Sequence, residues 1–364
     1  MGPVSDSRLT NMVRLSQEKA ARLCRGLLLS EHFVLYLSVA YFLVLLSFYP
    51  RMAGGRNLGE VSSNMWPLLA LAIGQTFVLI VAGIDLSQTA VMAVTSVIGG
   101  ALMSNQMDPA KFGHNPLWNI VFTPDGGPLG GSPWAVPAAV LVMLFVGTLI
   151  GLLNGTAVAK LRMPPFIVTL VSMMFFNGLA IYITRSENIM HLPNSYIAIG
   201  KGGIGFVPYS FFVAMVLAAT AHAILTRTVW GRWFYAVGQN VRASVISGVP
   251  TERVVILAYM FSGFCAAVGS ILYSARLEGG RPTLGQDLLL DIIGACVIGG
   301  ISLFGGKGKI LWTLFGVLFF TLLSNSLGWM NLSFYTVNIV KGTVILLAAF
   351  LDVTRTRFLA GYAG

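Results

Sequence analysis

Charged residues are scarce in this chain. Only 10% of its 364 residues are Asp, Glu, Lys or Arg, whereas 56% are hydrophobic. Apolar runs recur at close to the ~20 residues that an α-helix needs to cross a bilayer, and this composition excludes an ordinary soluble domain. We therefore predict an all-α polytopic membrane protein.

Residues that bind metals or act as nucleophiles are also few. Cys24, Cys265 and Cys296 are far apart with no CxxC pair, which argues against a disulfide framework or a metal site. The four histidines are equally scattered, and neither HExxH nor GxSxG occurs. Gly305–Lys309 lacks the Ser or Thr that follows the lysine of a Walker A loop. The sequence predicts neither an enzyme nor a bound cofactor, so any ATP used must be hydrolysed by a partner.

The net charge of +10 is explained by membrane topology. Apolar runs and helix breakers predict ten spans, and with both termini cytoplasmic the inner connectors and termini hold fifteen lysines and arginines against seven outside. The basic residues therefore follow the positive-inside rule and do not form a nucleic-acid stripe. The predicted spans are 32–49, 65–83, 86–104, 134–158, 165–184, 207–226, 252–275, 286–301, 310–328 and 334–352.

Three regions follow from these spans. Residues 1–31 form a polar, basic cytoplasmic head, either an amphipathic surface helix or a frayed tail. Residues 32–353 form one membrane domain, and 354–364 form a cytoplasmic tail. No small-residue cleavage site follows the first span, so we expect that span to be retained.

The longest charged connector between apolar spans is Gly231–Arg253. Asn240 can cap a short helix, and Gly248 with Pro250 ends it after about two turns. A short capped helix between two long apolar helices predicts a rigid projection on the cytoplasmic surface, which favours contact with a partner.

Polar residues inside apolar spans are candidates for a solute path because they are costly in a membrane. Asp85 and Ser87 interrupt a long apolar stretch, and we expect them to cap a broken helix at membrane depth or, equally, to form a surface connector. Asn154 and Asn325 either bond sugar hydroxyls or join helices, the commoner role.

Two further carboxylates lie one helical turn apart, at Asp287 and Asp291. Pairing with Arg276 or Arg281 is the simplest expectation for them, and Lys341 in the last span either snorkels or pairs with a carboxylate. Such acidic groups with a lysine also fit a proton-coupled secondary carrier, which stays an alternative.

The two halves of the chain echo each other. Val97–Ala101 resembles Val297–Ile301, and each is followed by a long span that contains one of the two asparagines and then by an aromatic-led span. Internal repetition is typical of transporters, so we predict ten transmembrane helices in two related halves.

Several stretches together resemble the permeases of ribose-type ATP-binding-cassette (ABC) importers, which include permeases for other monosaccharides, polyols and an autoinducer. The resemblance covers about residue 65 to Asp352. The stretches are Gly74–Thr76, Gly83–Ser87, Gly151–Gly155, Val158–Arg162, Pro164–Leu170, Ala236–Asn240, Ser247–Gly248, Gly299–Leu303 and Gly305–Gly308. Departures are Gln88-Thr89, Asn177, Trp312 and the long connector Asn105–Pro133, which put the cargo and the fit to a binding protein in doubt.

The resemblance implies a permease subunit that imports a monosaccharide or small polyol and works with a second permease, two ATPase domains and a periplasmic binding protein. It also implies that the segment matching Ala236–Val249 docks on the ATPase. Autoinducers, nucleosides and branched-chain amino acids are alternative cargoes. The coupling residues expected are Gly238, Asn240, Arg242, Ala243, Ser247 and Gly248. The path residues expected are Asp85, Ser87, Asn154, Asn325, Asp287 and Asp291.

Overall fold

A computed structural model describes residues 32–361 except 116 and 206, with side chains described to residue 350. The predicted head, 1–31, lies outside this part. A helix occurs at each of the ten predicted positions. In chain order these are α1 Phe33–Phe48, α2 Gly55–Ile80, α3 Gln88–Met103, α5 Ala135–Ala159, α6 Pro165–Thr184, α8 Tyr209–Arg227, α11 Thr251–Arg276, α12 Leu289–Gly299, α13 Ile310–Trp329 and α14 Phe334–Gly361.

Shorter elements lie in the connectors. They are α4 Pro109–Phe112, α7 Asn194–Lys201, α9 Val229–Gln239, α10 Val241–Ile246, 3-10 turns at Pro50–Ala53 and Gln286–Leu288, and the strands β1 Gly203–Ile204 and β2 Val207–Pro208. The strands pair antiparallel, Gly203 opposite Pro208, where the sequence predicts only a loop. α14 continues to Gly361, beyond the predicted span.

Six of the helices are long and apolar enough to cross a membrane: α2, α5, α6, α8, α11 and α13. Phe33–Phe48, Gln88–Met103 and Phe334–Phe350 are shorter apolar helices, and α12 has 11 residues. Polar residues precede both of the shorter helices α3 and α12. The chain is therefore a multi-pass helical membrane protein, and the ten crossings stay a prediction.

The connectors alternate between two ends of the bundle. One end, here called the basic end, holds 81–87, 160–164, 228–250 and 300–309, and backbone contacts between Ile80 and Gly306 tie parts of it together. The opposite end holds the remaining connectors, where Ile189 bridges to Gly280.

The core is built around α2 and α11, which pack against each other. α11 also packs closely on α5 because glycines remove the side chains between them. A Cβ on Gly263 would lie 2.1 Å from the carbonyl oxygen of Gly147, and one on Gly151 would lie 2.2 Å from that of Tyr259. α2 in turn packs on α12 and α13, and α11 on α3 and α5. The two central helices therefore contact α3, α5, α8, α12 and α13 between them.

Candidate functional site

A break between α2 and α3 lies inside the bundle. The chain turns at Ala82, whose φ is 60°, and the carbonyl oxygen of Ile84 accepts hydrogen bonds from Thr169 at 3.2 Å and Tyr259 at 3.5 Å. The next partner along α11, Ser262, is eleven residues from its first residue Thr251, a rise of about 16 Å. The connector 81–87 thus begins at the basic end, where Ala82 is exposed, and runs into the bundle to the buried Asp85 and Ser87.

Asp85 is the centre of a buried hydrogen-bond network at this break. Its Oδ1 accepts from the Ser87 backbone N at 2.9 Å and from the Ser87 hydroxyl at 2.6 Å, and its Oδ2 accepts from the Ser262 hydroxyl at 2.7 Å. Asn154 donates to the Ser87 hydroxyl oxygen at 2.8 Å, and Gln88 donates to that of Ser262, also at 2.8 Å. Hydrogen bonds to a carboxylate are stronger than neutral ones, so this network ties α3, α5 and α11 to the break.

The structure corrects one detail of the prediction that Asp85 and Ser87 cap a broken helix. Ser87 occupies the residue before α3, but its side chain makes no capping bond to the helix and donates to Asp85 instead. Asp85 satisfies the Ser87 backbone N–H in its place. Three predicted path residues, Asp85, Ser87 and Asn154, therefore lie in one cluster.

Asn325 lies in a different cluster. Its Nδ2 donates to Asn57 Oδ1 at 2.9 Å, Asn57 donates back to Asn325 at 3.2 Å, and Trp329 donates to Asn57 Oδ1 at 2.8 Å. These bonds join α2 to α13. Both asparagines suggested for a path thus make interhelical hydrogen bonds in this conformation.

Asp291 and Asp287 have separate environments. Asp291 forms a buried ion pair with Lys341, with Nζ 2.7 Å from Oδ1 and 2.9 Å from Oδ2, which links α12 to α14. The expected pairing of Asp291 with Arg276 or Arg281 is therefore wrong, and Arg276 donates to Asn64 instead. Asp287 is exposed in the 3-10 turn before α12.

The segment α9–α10 projects from the basic end. Asn240 Oδ1 accepts from the Ala243 backbone N at 3.0 Å, so Asn240 caps α10, and Gly248 follows the helix with φ of +77°. Arg242 and Ser247 are exposed. Val241, Val245 and Ile246 are 52%, 57% and 87% exposed, so the apolar side of α10 faces outward. A rigid helix that exposes valine and isoleucine has the character of a docking surface.

Backbone contacts join this segment to the break. A Cβ on Gly238 would lie 1.7 Å from the carbonyl oxygen of Ile80, the last residue of α2. Gly306 donates its N–H to the same oxygen at 2.8 Å, and the Tyr235 hydroxyl donates to the carbonyl oxygen of Gly308 at 2.7 Å. Burial raises the pKa of Tyr235, so this donor stays protonated. α9, the end of α2 and the loop 300–309 thus contact one another, with backbone meeting backbone at Gly238, Ile80 and Gly306.

An open cleft of about 790 Å³ lies beside α10. Its walls are mostly apolar, from Val241 and Val245 on α10 to Val158 on α5, with Arg162 and Arg253 also lining it. The cleft extends to Gly83 and Tyr259, next to the break. Movement of α10 would therefore change the surroundings of the connector 81–87.

Gln75 is a polar residue that the sequence analysis uses only within the motif Gly74–Thr76. Its side chain is fully buried in α2, and neither its amide N nor its amide O has a hydrogen-bond partner in the described part of the chain. Leaving a buried polar group unpaired costs about 1–3 kcal/mol. A glutamine inside the apolar run from Leu68 is the sequence signal that would have identified it.

This architecture, a helical bundle with a broken helix inside it and an exposed capped segment at one end, is that of a multi-pass membrane permease. The chain belongs to the family of ribose-type ABC permeases: residues 57–349 match the family described as the branched-chain amino acid transport system / permease component.

Relatives are similar along most of their length. The ribose import permease protein of Haemophilus influenzae is 32% identical over 286 residues, which cover 78% of this chain and 80% of that protein. The fructose import permease protein of Rhizobium meliloti is 33% identical over 286 residues, or 76% and 72% of the two chains. The galactose/methyl galactoside import permease protein of Haemophilus influenzae is 28% identical over 306 residues, or 81% and 86%. No solved structure matches the chain.

Proposed function

We propose that this chain is the membrane subunit of an ABC importer for a monosaccharide in a bacterial cytoplasmic membrane. It forms the path for the sugar, and separate ATPase subunits supply the energy. The relatives named for ribose, fructose and galactose import support a small sugar as cargo. A periplasmic binding protein delivers the sugar, and a second permease subunit completes the path.

The contact of α9–α10 with the end of α2 carries the coupling part of this proposal. Gly238 touches Ile80. Asp85, five residues after Ile80, is the first residue of the network that joins α3, α5 and α11. If an ATPase displaced α10, the displacement would be transmitted to the break through the backbone contact between Gly238 and Ile80. Tightly packed backbone has low compressibility and therefore transmits such a displacement. The break would then change which side of the path is open.

The acidic groups give less support to a proton-coupled carrier. Asp85 lies in one cluster, and Asp291 with Lys341 lies in another, with the exposed Asp287 one turn before Asp291. A proton relay needs titratable groups within reach of one another, and among the described residues the hydrogen bonds of Asp85 do not lead to the Asp291–Lys341 pair.

A substitution at Gly248 tests the coupling. Gly248 has φ of +77° with nothing within 4 Å of a Cβ, so Gly248→Val strains the backbone at the end of α10 without a clash. We expect the purified complex in proteoliposomes to lose tenfold or more of its ribose uptake per ATP hydrolysed, because α10 no longer transmits the ATPase motion.

Gly131→Val is the matched control. Gly131 has φ of +73° and equally open surroundings, but it lies in the connector at the opposite end. It should leave the ratio of uptake to hydrolysis unchanged. Equal ratios in both variants, at equal amounts in the membrane, would contradict coupling through α10.

A further inference from the structure

Amide side chains in the bundle differ in what they bond. Asn154 donates to Ser87, and Asn325 exchanges bonds with Asn57, so these amides hold helices together. Gln75 is fully buried with both amide atoms unpaired among the described residues. Since buried polar groups are normally bonded, an amide left open in the core indicates a partner that is bound only at some stage.

The neighbours of Gln75 show which way its side chain points. Successive residues of a helix are about 100° apart around its axis. Gly74 faces α11 and α3, where Cys265 and Gln88 lie within 2.9 Å of its would-be Cβ. Thr76 faces α12 and α13, with Thr313 Oγ1 at 2.7 Å. Gln75 therefore points between α3 and α12, the two shortened helices of the two halves.

The depth of Gln75 in the bundle also agrees with a position on a solute path. Gly74 contacts Cys265, which is fourteen residues from the first residue of α11 and eleven from the last. Gln75 is thus near the middle of the bundle. In transporters with internal repeats, solute sites lie near the bilayer midplane, between the repeats and beside discontinuous helices.

We propose that Gln75 contacts the sugar as it passes, with its amide N–H donating to one hydroxyl oxygen and its amide O accepting from a neighbouring hydroxyl. An amide offers a donor and an acceptor side by side, which suits adjacent hydroxyls of a sugar. The present conformation seals the residue, so opening of the path between α3 and α12 exposes it. This assignment rests on the proposed function.

Thiol labelling during transport tests exposure to the path. Gln75→Cys is made in a chain whose Cys24, Cys265 and Cys296 are replaced by Ala, and it is reconstituted with the ATPase and binding protein. A water-soluble thiol reagent should react at position 75 at least tenfold faster during ATP turnover than at rest, and ribose should slow the reaction. Labelling that turnover and ribose leave unchanged would overturn the assignment.

Gln75→Met tests the contact itself. Methionine has a similar volume and no amide, so a residue with only a packing role should tolerate it. We expect ribose uptake to fall about tenfold, the equivalent of one lost hydrogen bond of ~1.4 kcal/mol. ATPase stimulation should be kept, and thermal stability should be kept or raised, because the amide has no partner at rest. Gln286→Met, the same substitution at an exposed glutamine in the 3-10 turn before α12, is the control and should transport normally.

The outcomes separate this assignment from the proposed function. A wild-type complex that takes up none of ribose, fructose and galactose overturns both. A wild-type complex that transports, with Gln75→Met transporting as well, overturns only the assignment of Gln75. Loss of stability and uptake together would make Gln75 a structural residue and would likewise overturn it.

Discussion

Two buried carboxylates in this bundle are stabilised by different partners. Asp85 accepts hydrogen bonds from the hydroxyls of Ser87 and Ser262 and from a backbone N–H. Asp291 is paired with a cation, Lys341. A carboxylate held by neutral donors can change partners without leaving a second charge unpaired, whereas an ion pair cannot. The hydrogen bonds of Asp85 can thus rearrange during a conformational change, whereas the Asp291–Lys341 ion pair should stay intact.

Removal of one partner of the ion pair should be costly. In Lys341→Met, the carboxylate of Asp291 remains buried without its cation, and we expect a loss of about 3–5 kcal/mol in stability. Thermal unfolding of the detergent-purified chain measures the change. The double variant Asp291→Leu with Lys341→Met removes both charges and should recover most of the loss. A double variant as unstable as Lys341→Met alone would contradict this account.

The sequence predicted individual polar residues better than their partners. Asp85 interrupts an apolar run and is visible for that reason, but Ser262 is one of many serines and is 177 positions away. The sequence predicts that Lys341 snorkels or pairs with a carboxylate, but it favours Arg276 or Arg281 as the partner of Asp291, whose actual partner is Lys341. Hydrogen-bond and ion-pair partners on other helices depend on how the helices pack, and a local sequence pattern does not contain that information.

At the scale of elements, the contact between α5 and α11 depends on glycine. Gly147, Gly151 and Gly263 let the two backbones approach, and a Cβ on Gly263 would lie 2.1 Å from a backbone oxygen that cannot move aside alone. Close approach of this kind is a usual source of helix association in membranes, where lipid is as apolar as the side chains. The network at Asp85 uses residues from both helices, so its geometry depends on this contact.

Gly263→Ala should therefore separate α5 from α11. We expect a destabilisation of about 1–3 kcal/mol, as for other overpacked cores, and a weaker contact between Asn154 and Ser87. Gly178→Ala is the control, because nothing lies within 4 Å of a Cβ on this helical glycine of α6. Thermal unfolding of both variants measures this difference in stability. Equal stability would mean that α5 and α11 can move apart freely.

The sequence predicted elements well where a local signal was present. Apolar runs predicted ten positions at which a helix is found, six of these helices being long and apolar enough to cross a membrane, and Asn240 with Gly248 indicated both ends of α10. It was less informative for α12, where the span 286–301 contains a 3-10 turn and an 11-residue helix. Periodicity shows neither how deep a helix begins nor which one touches it, so the depth of the break at 81–87 needed the structure.

For the whole molecule, the two ends differ sharply in charge. Among described side chains, the exposed charges of the basic end are Glu252 and eight basic residues: Lys160, Arg162, Arg227, Arg232, Arg242, Arg253, Lys307 and Lys309. The opposite end has seven basic and six acidic residues. By the positive-inside rule, we predict that the basic end faces the cytoplasm. This orientation presents α10 to a cytoplasmic ATPase, as the proposed function requires.

Labelling of single cysteines checks this orientation. In a chain without its own cysteines, Arg185→Cys should react with a membrane-impermeant thiol reagent added to intact cells. Arg162→Cys should react only after the membrane is opened. Both positions are exposed, so burial does not account for a difference. The reverse pattern would place α10 outside and would end the coupling proposal.

The ion pair between α12 and α14 also has a consequence for biogenesis. Lys341 is in α14, two helices after α12, so Asp291 is synthesised before its counter-ion. Until α14 arrives, the nascent chain carries a lone carboxylate in an apolar environment, and a chain truncated before residue 334 never loses it. Membrane proteases that recognise such a charge would have a marker for unfinished copies, and completion of the final helix would remove it.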